Sequence, residues 1–315
     1  MSNIKTACVS LEDAMRRIGF IDRHLNNFHS NLYVKLIREG KHKDEFDVVL
    51  AYGDAQLDGT DTAGWCRQHG VRAAESVQQV VDGCDNLIIL SPDNPERHWD
   101  LSKYALGSGK ACYIDKTFAP DYATAKKLID LAEYNHTPMF STSALRFAPE
   151  LNRYLETVGK DRKTKAVVAR GHGAVANYSV HCVEPLVMLL GHGAKSVTFG
   201  GSKDCCFFSL AYRDDRIGMF NIYPAIGSVG ETWYGHPFEA SVQFEGGSAA
   251  LRYTCDAVFG DLINSICRFF LGDEAPAPFE DTLEIMAILD ATGRALESPG
   301  TAAAVEIGGL VCPGR

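Results

Sequence analysis

Short apolar runs that are continuous rather than alternating recur through the first half of this chain, and helical segments separate them. The clearest are Phe46-Asp47-Val48-Val49-Leu50-Ala51-Tyr52, Asn86 to Leu90, and Ala111 to Ile114, with Arg17 to Ile21 ahead of them and Pro138 to Ser143 behind. A run that is apolar at every position suits a strand covered on both faces. Strand–helix alternation at this spacing therefore predicts right-handed βαβ units in a parallel, doubly wound sheet. Helix signals fall between the strands: near Thr62 to His69, after the cap Ser76, from about Pro95 to Ser108 with Gly109 as its C′ residue, and over Ala123 to Tyr134.

Beyond residue 150 the texture changes. A connecting helix from Pro149 to Val158 leads to strand-like segments at Lys165 to Arg170, Ser196 to Phe199, Cys206 to Tyr212, Ile217 to Tyr223, Phe238 to Phe244 and Ala249 to Tyr253. Turn signals such as Asp214-Asp215 and Gly246-Gly247 separate them, which predicts a mostly antiparallel open sheet. Apolar helices are expected at Val183 to Leu190 and from Glu280 to Leu296. The expected architecture is α/β: a Rossmann-like doubly wound domain over 1–146, then an α+β domain over 147–315 for substrate binding and oligomerisation.

A chain of 315 residues suits two domains of roughly 100–200 residues each. The net charge of −9, with basic residues scattered among acidic ones, offers no patch for nucleic acid or an anionic membrane. Ten cysteines occur without a C-x-x-C pair, several of them in apolar runs where cysteine acts as a small hydrophobe. No secretory leader and no apolar run near 18 residues is visible, so the expected setting is cytoplasmic with free thiols.

The stretch from Ile88 to Arg146 carries the chemistry. A buried strand runs into Ser91-Pro92-Asp93-Asn94, the next helix carries His98, a second strand ends in Asp115-Lys116-Thr117, and Arg146-Phe147-Ala148-Pro149 closes the unit. That order resembles the glucose-fructose oxidoreductase / inositol dehydrogenase (Gfo/Idh/MocA) family, whose pattern reads roughly T-P-N, then H on the following helix, E-K-P, and R-F-x-P. The resemblance covers about residues 17 to 300 and is strongest from 86 to 150. It implies a Rossmann-type enzyme of carbohydrate metabolism that uses NAD or NADP on a sugar-like small molecule, assembled as a homodimer or homotetramer.

By the same resemblance Lys116 lies between nicotinamide and sugar, although the motif here is Asp-Lys-Thr. A lysine at the carboxyl end of a buried strand, where open α/β sheets take their ligands, can exchange protons with a substrate hydroxyl. Asn177-Tyr178-Ser179-Val180-His181 falls where the family has D-x-G-x-H. His181 would be the proton acceptor and Asn177, able only to hydrogen-bond, would orient it, since a spacing of four places both on one helical face. The cofactor side is expected to include Ser91, Asp93, His98, Asp115 and Arg146; for Arg146 an interdomain ion pair is the rival role. Tyr178 and the aromatic, polar loop from Gly230 to Pro237, with Trp233, Tyr234 and His236, are expected against the substrate, or in a subunit interface in the case of Trp233 and Tyr234.

The phosphate loop departs from the family. Asp22, His24 and Asn27 stand where G-x-G-x-x-G has its glycines, and side chains there obstruct the approach of backbone to pyrophosphate. Asn26, Asn27 and the helix N-terminus that follows still offer donors to an anion. Asp22, His24 and His29 could alternatively line a pocket for something else, and the spacing supports no metal site. Asp54 sits where the family places its ribose-binding acid, favouring NAD, and is equally suited to a turn. The first functional expectation is hydride transfer between a nicotinamide and a sugar, cyclitol or related carbonyl compound. The alternatives are non-redox acid/base chemistry on a sugar, as a lyase, hydrolase or epimerase, and a non-catalytic ligand sensor.

Overall fold

A computed structural model describes residues 15–202, 204–223, 228–229, 232–233, 237–255 and 257–308. Six strands form the first sheet: β1 (Arg16–Asp22), β2 (Phe46–Gly53), β3 (Arg72–Ala73), β4 (Asn86–Ile89), β5 (Cys112–Ile114) and β6 (Met139–Phe140). Their order is β3-β2-β1-β4-β5-β6 and every pair is parallel. The apolar continuity of these strands has a direct cause. Ile18 and Phe20 of β1 and Ile88 of β4 enter one core, while Ile21, Leu87 and Ile89 enter another on the opposite face. Gly19 is needed for the second: a Cβ there would lie 2.3 Å from Val80 Cγ1.

Side-chain caps start the intervening helices. Asn27 accepts from Ser30 N before the helix Phe28–Glu39, Ser76 from Gln79 N before Val77–Gly83, and Asp121 from Thr124 N before Tyr122–Tyr134. The helix expected from Pro95 to Ser108 is a 3-10 turn, Pro95–Arg97, followed by His98–Leu106. It ends at Gly107, not at Gly109, which takes its left-handed φ of 74° in the turn beyond.

The second sheet joins β7 (Thr164–His172), β8 (Ala194–Ser202), β9 (Cys205–Tyr212), β10 (Ile217–Tyr223), β13 (Glu239–Phe244), β14 (Gly247–Arg252) and β15 (Ala302–Ala304). Its order is β14-β13-β7-β10-β9-β8-β15, antiparallel throughout except where β7 lies parallel to β10. Strands β11 (Ser228–Val229) and β12 (Thr232–Trp233) make a separate two-stranded ribbon. Helix Val180–Leu190 covers β7, and helix Phe279–Glu297 packs on β8.

One helix was not expected. Val258–Leu271 buries Val258, Leu262, Ile263, Ile266 and Phe270, and it lies against the Phe28–Glu39 helix of the first half. Phe269 meets Phe140 with ring centroids 4.9 Å apart, and Phe270 meets Phe46 at 6.2 Å. The second half of the chain thus returns to complete the core of the first, which fixes the crevice between them.

Candidate active site

The chain order of the first sheet reverses between β1 and β4, and folds of this kind take ligands in the crevice outside the carboxyl ends of those strands. Asp22 ends β1, Ser91 follows β4, and Asp115 and Lys116 follow β5. Lys116 is 7 % exposed and its Nζ donates to Pro92 O at 3.3 Å. The Lys116–Thr117 peptide is cis although residue 117 is not proline. Lys116, Ser143, Val180, Glu184 and Met286 line a cavity of about 20 Å³ between the two halves, room for a single water.

His181 comes to this place from the second half, near the start of Val180–Leu190. Its Nδ1 is 2.7 Å from Ser143 Oγ, and its ring is edged by Tyr178 and Phe238 at 5.4 and 5.5 Å. Burial, then the charges of Lys116 and His29, push its pKa down to about 3. The imidazole is therefore neutral at pH 7. It remains a hydrogen-bonding group, with Nε2 carrying no protein partner among the described residues. Asn177 lies in the short helix Val175–Tyr178, and Ser179 keeps right-handed helical angles, so 177 and 181 stay on one side.

Asp115 is fully buried. Its carboxylate pairs with His29 Nδ1 and accepts from Tyr113 OH at 3.2 Å and Lys116 N at 2.8 Å. Burial alone would raise its pKa, but the His29 and Lys116 interactions outweigh that and hold it below the usual carboxylate value. Asp115 thus anchors the His29 side chain and the backbone of Lys116.

The phosphate loop is satisfied from within. Asp22 is 0 % exposed, and its carboxylate accepts from Asn27 Nδ2 and Ser30 Oγ, each at 2.8 Å, and from His24 N at 3.3 Å. Asn27 also caps Ser30 N at 3.0 Å. Ser30 N and the Ser30 hydroxyl, donors that a pyrophosphate could use at this helix N-terminus, are thus engaged by Asn27 and Asp22. His24 Nδ1 is buried without a partner, and Asn26 Nδ2 donates to Leu57 O at 3.4 Å. Asp54 is paired with Arg97, and Arg23 lies 3.7 Å from Glu96, so ion pairs tie together the loops after β1, β2 and β4. The residues lining the crevice near Lys116 suit a polar ligand; the phosphate end does not fit a dinucleotide held in the glycine-loop manner.

Other expected site residues have structural duties. Arg146 spends its guanidinium on Glu184 at 2.9 Å, Asp281 at 2.7 Å and Pro276 O at 3.2 Å, the interdomain ion pair rather than a ligand contact. His98 is fully buried with its nitrogens against Phe118 O and Leu90 O, clamping strand ends instead of touching a cofactor. Ser91 holds a φ of 76° and donates to Asn94 O, while Asp93 points to solvent. Tyr178 is 36 % exposed at the mouth. Tyr234 and His236 lie outside the described residues, as does the side chain of Trp233. His29 enters the site without a specific sequence signal for its role, because its partner Asp115 is 86 positions away. Among the described residues no cluster of His, Cys, Asp and Glu is arranged for a metal ion, and no helix is long and apolar enough to cross a membrane.

No family model matches the chain, and neither does any curated protein. Solved structures do share its fold. Scyllo-inositol dehydrogenase from Lactobacillus casei, solved with NAD(H) and scyllo-inositol, superposes with a TM-score of 0.76 at 13 % identity, over 92 % of this chain and 99 % of that one. GenD2 from gentamicin A biosynthesis, in complex with NAD, gives 0.74 at 14 % over 93 % and 98 %. The WlbA dehydrogenase from Bordetella pertussis, in complex with NADH and UDP-GlcNAcA, gives 0.73 at 15 % over 93 % and 100 %. The architecture is therefore that of the inositol dehydrogenases and related oxidoreductases, including the open second sheet.

Proposed function

We propose that this protein is an oxidoreductase acting on a sugar, cyclitol or related polyhydroxylated carbonyl compound in the crevice between its two sheets. The observation that carries this reading is that Lys116, at the rim of β5, lines one cavity with Ser143, whose hydroxyl is 2.7 Å from Nδ1 of His181 in the other half. Two nitrogen groups converging from separate halves can grip one hydroxyl of a small polyol. Lys116 Nζ donates to the hydroxyl oxygen and steadies negative charge there as the proton leaves. His181, held neutral and tethered by Ser143, presents Nε2 to the same or the adjacent hydroxyl. Asn177 supports this side, and Tyr178 closes it toward solvent.

A nicotinamide dinucleotide, when bound, supplies the hydride acceptor or donor. Fold neighbours solved with NAD or NADH support that choice. Residues 1–146 would carry the cofactor side and 147–315 the substrate and assembly side, as a homodimer or homotetramer. A second reading rests on Asp22. With its carboxylate in the phosphate position, the same residues would perform non-redox proton transfer on a sugar.

Titration of the purified protein with NAD(H) and NADP(H), read by thermal shift and nicotinamide fluorescence, separates the two. A ligand at 100 times its Kd raises stability by about 2.7 kcal/mol. A clear shift with a dinucleotide supports the oxidoreductase; no shift with any dinucleotide, alongside one with scyllo-inositol or a sugar, favours the second reading.

A further inference from the structure

Ser143 carries no motif signal, yet its hydroxyl decides what His181 can offer a ligand. It lies just after β6 and caps the 3-10 turn Ala144–Phe147, its Oγ accepting from Leu145 N at 3.2 Å. The same oxygen is 2.7 Å from His181 Nδ1. The backbone is pinned as well, because Ser143 N donates to Glu184 Oε2 at 2.7 Å and Ser143 O accepts from Arg146 N at 3.1 Å. Ser143 is 0 % exposed, so its side chain has only protein around it.

A serine hydroxyl has one proton to give and can otherwise accept. The Leu145 N–H takes up accepting capacity, and the proton must go elsewhere. Among the described residues, the acceptor within hydrogen-bond reach of it is His181 Nδ1. The opposite arrangement, with an Nδ1–H donating to Oγ, would leave the serine proton buried and without an acceptor, which disfavours it on the order of tenfold or more in population. A neutral imidazole carries a single proton, and with Nδ1 accepting from Ser143 that proton is on Nε2. Nε2 has no protein partner among the described residues, which leaves its N–H for a ligand.

We propose that Ser143 fixes His181 in its Nε2–H form, so that this histidine meets the ligand as a hydrogen-bond donor and the crevice selects the carbonyl oxygen of a sugar-like ketone. Ser143 is a positioning residue, since it acts through the imidazole. Lys116, which lines the cavity beside Ser143, is donor-only as well, and beyond its bond to Pro92 O it has two N–H groups left. A hydroxyl oxygen that accepts from such donors must still place its own proton, whereas a carbonyl oxygen has none to place. Of an alcohol and its ketone, the ketone is therefore held more tightly. The inference rests on the proposed function for its ligand, and not for the tautomer of His181.

Two measurements on the full-length protein test it, and the first needs neither turnover nor ligand. Protein with nitrogen-15 in its histidine rings is followed by long-range proton–nitrogen NMR at pH 7, the His181 signals being assigned by their loss in His181→Gln. A protonated Nε2 beside an accepting, unprotonated Nδ1 is expected in wild type, and Ser143→Ala should turn this into a tautomer mixture or into the Nδ1–H form. An Nδ1–H form in wild type overturns the proposal. So does a Ser143→Ala protein that is folded, by its Tm, and keeps the wild-type His181 signals. In the second, calorimetric titration compares scyllo-inositol with its ketone, scyllo-inosose. Binding of the ketone tighter by about fivefold or more is expected; equal binding, or tighter binding of the alcohol, overturns the selection of a carbonyl oxygen. If neither compound binds, the sugar reading of the crevice fails, and the NMR result still decides Ser143 and His181.

Discussion

The carboxylate of Asp22 and the hydroxyl of Ser30 are hydrogen-bonded at 2.8 Å across the start of the Phe28–Glu39 helix. A phosphate group in this fold would compete for that position. The loop forms a self-contained cap, in which Asp22 holds the side chains of Asn27 and Ser30 and Asn27 caps the first turn. His29, one residue before Ser30, is left facing Asp115 instead of a phosphate.

Asp22 should leave a pH signature in stability. Burial raises its pKa to about 6, against an ordinary value of 3.8. Its contribution is fully present below the ordinary value, declines as the pH rises, and is lost above the folded value, a change of about 3 kcal/mol. Asp22→Asn should therefore gain on wild type between pH 4 and 7, as checked by urea unfolding at both. A constant difference between the two proteins would mean that Asp22 ionises normally.

His181 has the opposite sign. Its depressed pKa makes the folded state refuse a proton that the unfolded chain accepts below about pH 6.5. Wild type should lose up to about 2 kcal/mol relative to His181→Gln as the pH falls from 6.5 to 5, with partial exposure of the ring making the loss smaller. Denaturant midpoints across that range check it.

Arg146→Ala should cost about 3–5 kcal/mol, since it strands the buried Glu184 carboxylate. The Glu184 oxygens would keep Thr142 Oγ1 at 2.5 Å and Ser143 N at 2.7 Å but lose the cation. Calorimetry should show a lower Tm. Gly19→Ala, which pushes a methyl against Val80, should cost about 1–3 kcal/mol by the same measurement.

The first sheet was legible because strands buried on both faces need long apolar runs, and β1, β2, β4 and β5 carry them at 18–21, 48–52, 87–89 and 112–114. Strand β15 was not: Ala302-Ala303-Ala304 has little strand preference, and only pairing with β8 makes it one. Helix Val258–Leu271 was missed although its apolar spacing is helical. At the site, Lys116 and His181 could be placed by their flanking residues. The titration of His181 could not, since it depends on burial and on charges brought near only by folding. The same holds for the partners of Arg146, Glu184 and Asp281, and for the His29–Asp115 pair, which lie 38, 135 and 86 positions apart.

The account stands on Lys116 and His181 serving one ligand, which a double-mutant cycle tests directly. The kcat/KM of wild type, Lys116→Ala, His181→Gln and the double variant would be measured with the cyclitol or sugar that wild type turns over fastest. Losses that are non-additive by about 1 kcal/mol or more are predicted, as for groups that share a partner. Strictly additive losses, or a Lys116→Ala variant as active as wild type, would contradict it.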